Sequence, residues 1–373
     1  MNRRTFLKWG GLTLLACSQG IPVSAQTHQP VLVVVFLRGG LDGLHALVPY
    51  RSKDYYEARP ILGVPAKSCM AIDERFGLNP ALKPLYPLFQ ERALAGVCAI
   101  GTDDTSRSHF IAQDYLEYGG AIPTDGWLNR SLTDGIAVST WPQIPTLLQG
   151  ERPVLNATSV EDLFMSVPPS LFASDGKVGR ANVQEAELRR HLSHLKPPES
   201  NHYPETDLGR QLRTVAYLLN EGVPVEAAHC ELSGFDTHSR QIDGMWPGRL
   251  LGLNKLLREF ADAVATFWRD VQDLDRPVTL ITITEFGRRL AENGSLGTDH
   301  GLASASLVLG HTVRGGKVYG DWPGLETERL SEGLDLTVTT DYRGLLNEYM
   351  ESSGRPGLFR EFAANSRLGL WTD

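Results

Sequence analysis

The sequence has little of several features that mark common protein classes. It holds four cysteines in 373 residues, and removal of an N-terminal leader would leave Cys69, Cys98 and Cys230, so at most one disulfide can form. No apolar run reaches the roughly 18 residues that a membrane-spanning helix needs. The formal net charge is −8, with no long run of either sign, which argues against nucleic acid as a partner because phosphate binding needs a basic surface.

The first 25 residues read as an export signal. Arg3 and Arg4 are followed by Thr-Phe-Leu-Lys, then by a short apolar stretch, and residues 23–25 form a small-residue cleavage site. This order predicts export to the periplasm by the twin-arginine pathway. An alternative reading of Leu-Leu-Ala-Cys at residues 14–17 is a lipobox, which would place a lipid anchor on Cys17.

The remaining chain alternates apolar strands with amphipathic helices. Continuous apolar runs predict strands at residues 30–37, 94–100, 223–231, 277–284 and 306–309. Helical patterns are predicted to open at Asn79-Pro80 and to cover residues 108–118 and 249–274. Strands buried on both faces with helices between them predict a three-layer α/β fold with a mostly parallel sheet. We expect a single domain over residues 26–373, with a less regular insertion or cap at about residues 120–207.

Polar clusters follow four of the predicted strands. They are RGGLDG at residues 38–43, GTDDTSRSH at 101–109, SGFDTH at 233–238, and TEFGR at 284–288 with GTDHG at 297–301. Ligand sites in open α/β sheets lie at the carboxyl ends of the strands. We therefore expect the four clusters to converge on one cleft.

The donors in these clusters indicate a metal site. The candidate ligands are carboxylates and imidazoles with no thiolate, namely Asp42, Asp236, His238, Glu285, Asp299 and His300. Such donors suit one or two divalent ions such as Zn²⁺, Mn²⁺ or Mg²⁺ rather than a cysteine-type structural zinc site. In the Asp-x-His pattern both side chains can point the same way from an extended segment.

Each motif also has a purely structural reading. An Asp can cap a turn, and Glu285 with Arg288 can form an ion pair. The glycines of RGGLDG can serve only to allow positive φ. It is the placement of all these motifs at strand ends that favours a metal or anion site.

The start of the helix at residue 108 offers a nucleophile. Ser108 can be a helix N-cap, or its hydroxyl can attack an anionic ester held at the positive end of the helix dipole. Arg107 and Arg288 could neutralise the ester oxygens through bidentate bonds. His109 could instead be a ligand or a covalent acceptor.

Several stretches resemble DUF1501, a family of exported bacterial proteins of largely uncharacterised function. The matching pieces are the leader, VVVFLRGGLDGLHALVPY, FGLNPALKPLYPLF, SRSHFIAQDYLEYG, GFDTH, TEFGR, GTDHG and GGKVYGDWPGL. DUF1501 is similar to the alkaline phosphatase and sulfatase superfamily. That likeness implies an alkaline-phosphatase-like core, Asp and His ligands for one or two divalent ions, and a Ser, Thr or modified Cys nucleophile.

Carried to this sequence, the resemblance implies that Asp42 is the ligand after the first strand and that Ser108 is the nucleophile. Asp236 with His238, and Asp299 with His300, would be ligand pairs. Two departures stand out: four residues separate the first strand from Asp42, and Glu285 stands where the superfamily usually has Asp-His. They imply a metal set that is altered, reduced to one ion, or lost.

These observations predict an exported metal-dependent hydrolase of phosphate or sulfate esters. The alternative is a non-catalytic periplasmic or surface binding protein that uses the same cleft for an anionic ligand. The family resemblance also implies a DUF1800-type protein as a partner.

The export signal gives the first testable prediction. Replacing Arg3 and Arg4 together with Lys should retain the protein in the cytoplasm, because the translocase recognises the arginine pair. Cell fractionation followed by immunoblotting measures the outcome. Normal periplasmic accumulation of the double variant would show that residues 1–25 are not a twin-arginine signal.

Overall fold

The computed structural model describes residues 29–164, 202–242, 252–362 and 367–372. The predicted leader, including the cysteine of the lipobox, lies outside them. The strands are β1 Val31–Arg38, β2 Leu47–Val48, β3 Met70–Ala71, β4 Gly77–Leu78, β5 Leu94–Gly101, β6 Ile136–Ser139, β7 Val154–Asn156, β8 Val225–Ser233, β9 Val278–Ile283, β10 Ser304–Gly310, β11 Val318–Tyr319 and β12 Thr340–Asp341. The α-helices are α1 Gly43–Ala46, α2 Lys53–Ala58, α3 Tyr86–Gln90, α4 His109–Tyr118, α5 Trp127–Arg130, α6 Asp207–Asn220, α7 Leu253–Val271 and α8 Tyr342–Ser352.

Nine strands form the main sheet. Its order is β11-β5-β10-β9-β1-β8-β6-β7, and β12 pairs with β5 outside this path. A small antiparallel sheet has the order β2-β4-β3. The main sheet is mixed but mostly parallel and is flanked by helices, so the predicted α/β fold class is confirmed.

The direction of β10 determines what lies at the functional edge of the sheet. Strand β10 runs antiparallel to both of its neighbours, β5 and β9, whereas β9, β1 and β8 are mutually parallel. The carboxyl ends of β5, β9, β1 and β8 therefore share one edge with the amino end of β10. The residues just before β10 meet the residues that follow the parallel strands.

The central strands β1 and β9 are buried at every position except Arg38, so the sheet is covered on both faces. Along β1, Val31, Val33, Val35 and Leu37 pack into one core, while the alternate side chains pack into the other, as expected from the two-residue period of a strand. The long helix α7 buries one apolar stripe against the first core. A rigid sheet with two packed faces fixes the positions of the loops at its edge.

The predicted strands are all present, within two residues at each end. The helix predicted after Asn79 is different: a 3₁₀ segment, Pro80–Leu85, precedes the short α3. Pro84 and Pro87 have no backbone N–H, so a regular α-helical ladder cannot continue through them.

The predicted insertion at residues 120–207 is described only in part. Within it, β6 and β7 extend the main sheet in parallel beyond β8. Residues 165–201 of this segment lie outside the described residues, and the division into domains stays a prediction. Among the described residues, none of the helices is both long enough and apolar enough to cross a membrane.

Candidate metal centre

The carboxylate of Asp236, which follows β8, is the meeting point of the site. Its Oδ1 lies 2.7 Å from Arg288 Nη2 and 3.1 Å from His300 Nε2. The same oxygen lies 3.1 Å from His238 Nε2 and 3.4 Å from His109 Nε2. Three imidazole nitrogens and one guanidinium thus converge on a single oxygen atom. The Asp236 side chain keeps 48% of its surface exposed, so the cluster is open to solvent.

His109, the first residue of α4, is oriented by a buried carboxylate. Its Nδ1 lies 2.8 Å from Glu285 Oε1, and Glu285 follows β9 with a side chain that has no solvent exposure. Gln113, one helical turn after His109, donates to the same oxygen at 2.8 Å, and the Gly39 N–H donates to it at 2.9 Å. Because Nδ1 donates its proton to Glu285, Nε2 is the nitrogen that faces Asp236.

His300 is oriented by a main-chain carbonyl instead. Its Nδ1 donates to the carbonyl oxygen of Arg107 at 2.8 Å. A carbonyl can only accept, so the proton is assigned to Nδ1 and the lone pair of neutral His300 is on Nε2. Nε2 faces the Asp236 oxygen at 3.1 Å and His238 Nε2 at 2.8 Å.

His238 and Asp299 lie on the solvent side of the cluster. His238 Nδ1 is 3.3 Å from Asp299 Oδ1. Asn293 fixes both residues, because its amide donates to Asp299 Oδ1 and to the His238 carbonyl, each at 3.0 Å. The Asp-x-His pattern does direct Asp236 and His238 to one place, and Asp299 and His300 contact opposite ring nitrogens of His238.

Arg288 holds the surrounding loops together. Its side chain is fully buried and donates to the carbonyls of Gly39, Gly40, Phe235 and Thr298 as well as to Asp236. Gly39 has φ +117, and a Cβ there would lie 2.5 Å from the Asp236 nitrogen. Only glycine permits the loop after β1 to approach the loop after β8 this closely.

Phe286 packs against the two oriented imidazoles. Its ring centroid is 4.8 Å from that of His109 and 4.6 Å from that of His300. An aromatic side chain in this place limits the rotation of both rings, so the two Nε2 atoms are held facing Asp236.

The electrostatics of the cluster favour charged forms. Pairing with Asp236 and with Glu285 outweighs desolvation and raises the pKa of His109 to about 9. Although burial favours the neutral acid, contacts with His109, His300 and Arg288 hold the pKa of Asp236 below its ordinary value. Burial likewise opposes ionisation of Glu285, but its bonds with His109 and Gln113 lower its pKa.

His109, Asp236 and His300 fit a divalent metal ion. One ligand atom from each lies within 4.8 Å of the other two. Within the described residues, His109 Nε2 is buried and makes no hydrogen bond, although it lies 3.4 Å from Asp236 Oδ1. Two imidazoles and a carboxylate are common donors for Zn²⁺ and similar ions. Hydrogen bonding of the second ring nitrogen to a carboxylate or carbonyl is typical of histidines that bind metals.

Two of the predicted ligands, Asp42 and Glu285, lie apart from these three residues. Asp42 is fully buried and its two carboxylate oxygens accept from Arg59 at 2.7 and 3.1 Å, while Gln241 donates to it at 2.6 Å. Burial opposes ionisation of Asp42, but the Arg59 guanidinium lowers its pKa. Glu285 lies behind His109 rather than beside the other ligand atoms. The metal role predicted for Asp42 and Glu285 stays a prediction.

The predicted catalytic groups occupy distinct places. Ser108 is the N-cap residue of α4, yet its hydroxyl makes no capping hydrogen bond. The guanidinium of Arg107 pairs with Asp335 and Glu332, and that of Arg288 is used as described above. Anion binding by these two arginines stays a prediction.

Two residues that contact the site, Gln113 and Asp335, were not predicted from the sequence. Gln113 follows His109 by four residues, a spacing that places both on one face of a helix, so the pattern could have indicated it. Asp335 carries no such signal, because it reaches Arg107 from a distant loop.

Comparison with known families tests the resemblance found in the motifs. The family described as "Protein of unknown function (DUF1501)" matches residues 192–355. This segment contains Asp236, His238, Asp299 and His300, whereas His109 comes from an earlier part of the chain. No curated protein matches the sequence.

Similar solved structures include sulfatases and phosphoethanolamine transferases. PsFucS1 sulfatase from Pseudoalteromonas sp. has 10% identity and a TM-score of 0.38, with 100% of this chain and 77% of that chain covered. The soluble domain of lipooligosaccharide phosphoethanolamine transferase A from Neisseria meningitidis has 11% identity and a TM-score of 0.36, with 76% and 77% covered.

The C-terminal periplasmic domain of EcEptC from Escherichia coli, in complex with Zn, has 10% identity and a TM-score of 0.35, with 76% of this chain and 73% of that chain covered.

The raised pKa of His109 gives a prediction for the metal-free protein. A group whose pKa is about 9 in the folded state and about 6.5 in the unfolded state stabilises the fold fully below about pH 6.5. This stabilisation is lost as the pH rises to 9. Unfolding in urea, with a chelator present, measures the free energy of unfolding. Between these pH values the wild type should lose about 1 kcal/mol more than His109→Gln, a small difference because solvent screens the pair.

His202→Gln is the control, since His202 pairs with Asp270 away from the cluster. It should retain the wild-type pH profile. An unchanged profile in His109→Gln would contradict the charge assignment.

Proposed function

We propose that His109, Asp236 and His300 hold a divalent metal ion and that the protein hydrolyses phosphate or sulfate esters at this centre. The observation that supports this most strongly is the buried His109 Nε2, which makes no hydrogen bond within the described residues and faces a carboxylate and a second oriented imidazole. A buried polar atom without a partner is costly, and a metal ion is one of its ordinary explanations.

The surrounding groups position the ligands. Glu285 orients His109, the Arg107 carbonyl orients His300, and Arg288 fixes Asp236. Such partners hold the rings in one tautomer and one direction, which matters for metal affinity. His238 and Asp299 lie beside the three ligands.

Ser108 is the proposed nucleophile. Its hydroxyl is not used in capping, and it immediately precedes His109 at the start of α4, where free N–H groups attract anions. A divalent ion supplies positive charge to the ester oxygens at this position. The Ser108 oxygen forms a bond to phosphorus or sulfur as the bond to the leaving oxygen breaks, and the hydroxyl proton passes to that oxygen, directly or through water, to give the alcohol. Water then attacks phosphorus or sulfur and breaks the bond to Ser108, which regenerates the hydroxyl and releases phosphate or sulfate.

The alternative is a protein that binds an anionic ligand without turnover. Arg107 and Arg288 are already paired with carboxylates within the described part of the chain. This pairing favours binding without turnover, because it limits the positive charge that both guanidiniums can give to a reacting ester. The two functions differ in turnover, so one experiment separates them.

The experiment compares Ser108→Ala with the wild type on a panel of phosphate and sulfate monoesters, in protein loaded with Zn²⁺ or Mn²⁺. Loss of the nucleophile should lower turnover by about 10³-fold or more. The thermal midpoint should change little, because the hydroxyl caps nothing. Thr105→Ala, in the same exposed loop, is the matched control and should keep wild-type turnover.

Two outcomes count against the proposal. Turnover that is unchanged in folded Ser108→Ala removes Ser108 from the reaction. Binding of an ester by the metal-loaded wild type with no turnover of any ester supports the binding protein instead.

A further inference from the structure

Arg107 has an unusual backbone conformation at the edge of the metal centre. Its φ is +51, in the left-handed region that residues other than glycine rarely adopt. It lies in the loop between β5 and α4, immediately before Ser108 and His109. Strained residues of this kind persist only where the surrounding structure fixes them, and they cluster at functional sites.

A buried carboxylate fixes this conformation. Arg107 Nε donates to Asp335 Oδ2 at 2.8 Å, and Nη2 donates to the same oxygen. Asp335 has no exposed side-chain surface, whereas Glu332, the second partner at 2.9 Å, is 67% exposed. Since exposed ion pairs contribute little, Asp335 is the main anchor.

The left-handed conformation directs the Arg107 carbonyl toward the centre. Its oxygen accepts from His300 Nδ1 at 2.8 Å, which leaves His300 Nε2 facing Asp236 at 3.1 Å. The carbonyl therefore sets both the tautomer and the direction of the imidazole. The side chain of Arg107 points the other way, to a different loop.

We infer that Arg107 is a positioning residue, and that Asp335 holds it in the left-handed conformation so that its carbonyl orients His300 for metal binding. The Arg107 clamp, made of Arg107, Asp335 and His300, links the loop at residues 330–336 to the metal centre. This inference rests on the proposed function, because it concerns the ion that His300 would bind.

Two substitutions of Arg107 separate backbone conformation from side-chain charge. Arg107→Ala and Arg107→Gly both lose the guanidinium, but glycine adopts positive φ without strain and alanine does not. Titration calorimetry with Zn²⁺ alone should show a dissociation constant at least about tenfold larger for Arg107→Ala than for the wild type. Arg107→Gly should recover most of that loss.

A control and a second readout accompany the affinities. Glu332→Ala removes only the exposed partner and should bind Zn²⁺ as the wild type does. In the metal-free protein, the ¹⁵N spectrum of His300 should show a proton on Nδ1 in the wild type and in Arg107→Gly, and a mixture of tautomers in Arg107→Ala.

The failures are distinguishable. If the wild type takes up no Zn²⁺, the proposed function fails, whatever the variants do. If the wild type binds Zn²⁺ and the alanine and glycine variants bind it equally, the clamp is wrong while the metal centre stands. If loss of the guanidinium leaves Asp335 unpaired and prevents folding, Arg107→Ala and Arg107→Gly are each combined with Asp335→Asn. The two double variants must then show the same difference in Zn²⁺ affinity between alanine and glycine.

Discussion

The direction of one strand determines the rest of the site. Because β10 runs against its neighbours, the residues that precede it arrive at the edge where β5, β9 and β8 end. His300 thereby meets His109, Glu285 and Asp236, which come from three other connections of the sheet. In an all-parallel sheet the segment before β10 would start at the opposite edge.

Two kinds of charge pairing at this edge serve different purposes. Asp42 and Arg59 are both fully buried and pair with each other through a bidentate bond. Asp236 also pairs with a buried arginine, but it is about half exposed and carries imidazoles on its open side. The first pair holds loops together, whereas the second fixes a carboxylate that still faces solvent. A carboxylate of the second kind is the one suited to bind an ion.

Much of the fold could be predicted from sequence because its signals are local. The apolar runs of β1 and β9 show a buried parallel sheet, and the motifs at strand ends show where a site would form. The particular ligands could not be separated from their neighbours in the same way. Asp42 and Asp236 follow similar strands, and only the arginine that reaches each of them decides its role. Arg59 and Asp335 come from distant loops, so their partners depend on tertiary packing that no local pattern records.

Diffraction from crystals grown with Zn²⁺, measured on both sides of the zinc absorption edge, tests the metal centre most directly. We expect an anomalous difference peak for a zinc ion within bonding distance of His109 Nε2, the Asp236 carboxylate and His300 Nε2. Glu285 should still be hydrogen-bonded to His109 Nδ1. A structure in which these side chains keep the positions described here and carry no peak, or in which zinc binds elsewhere only, would contradict it.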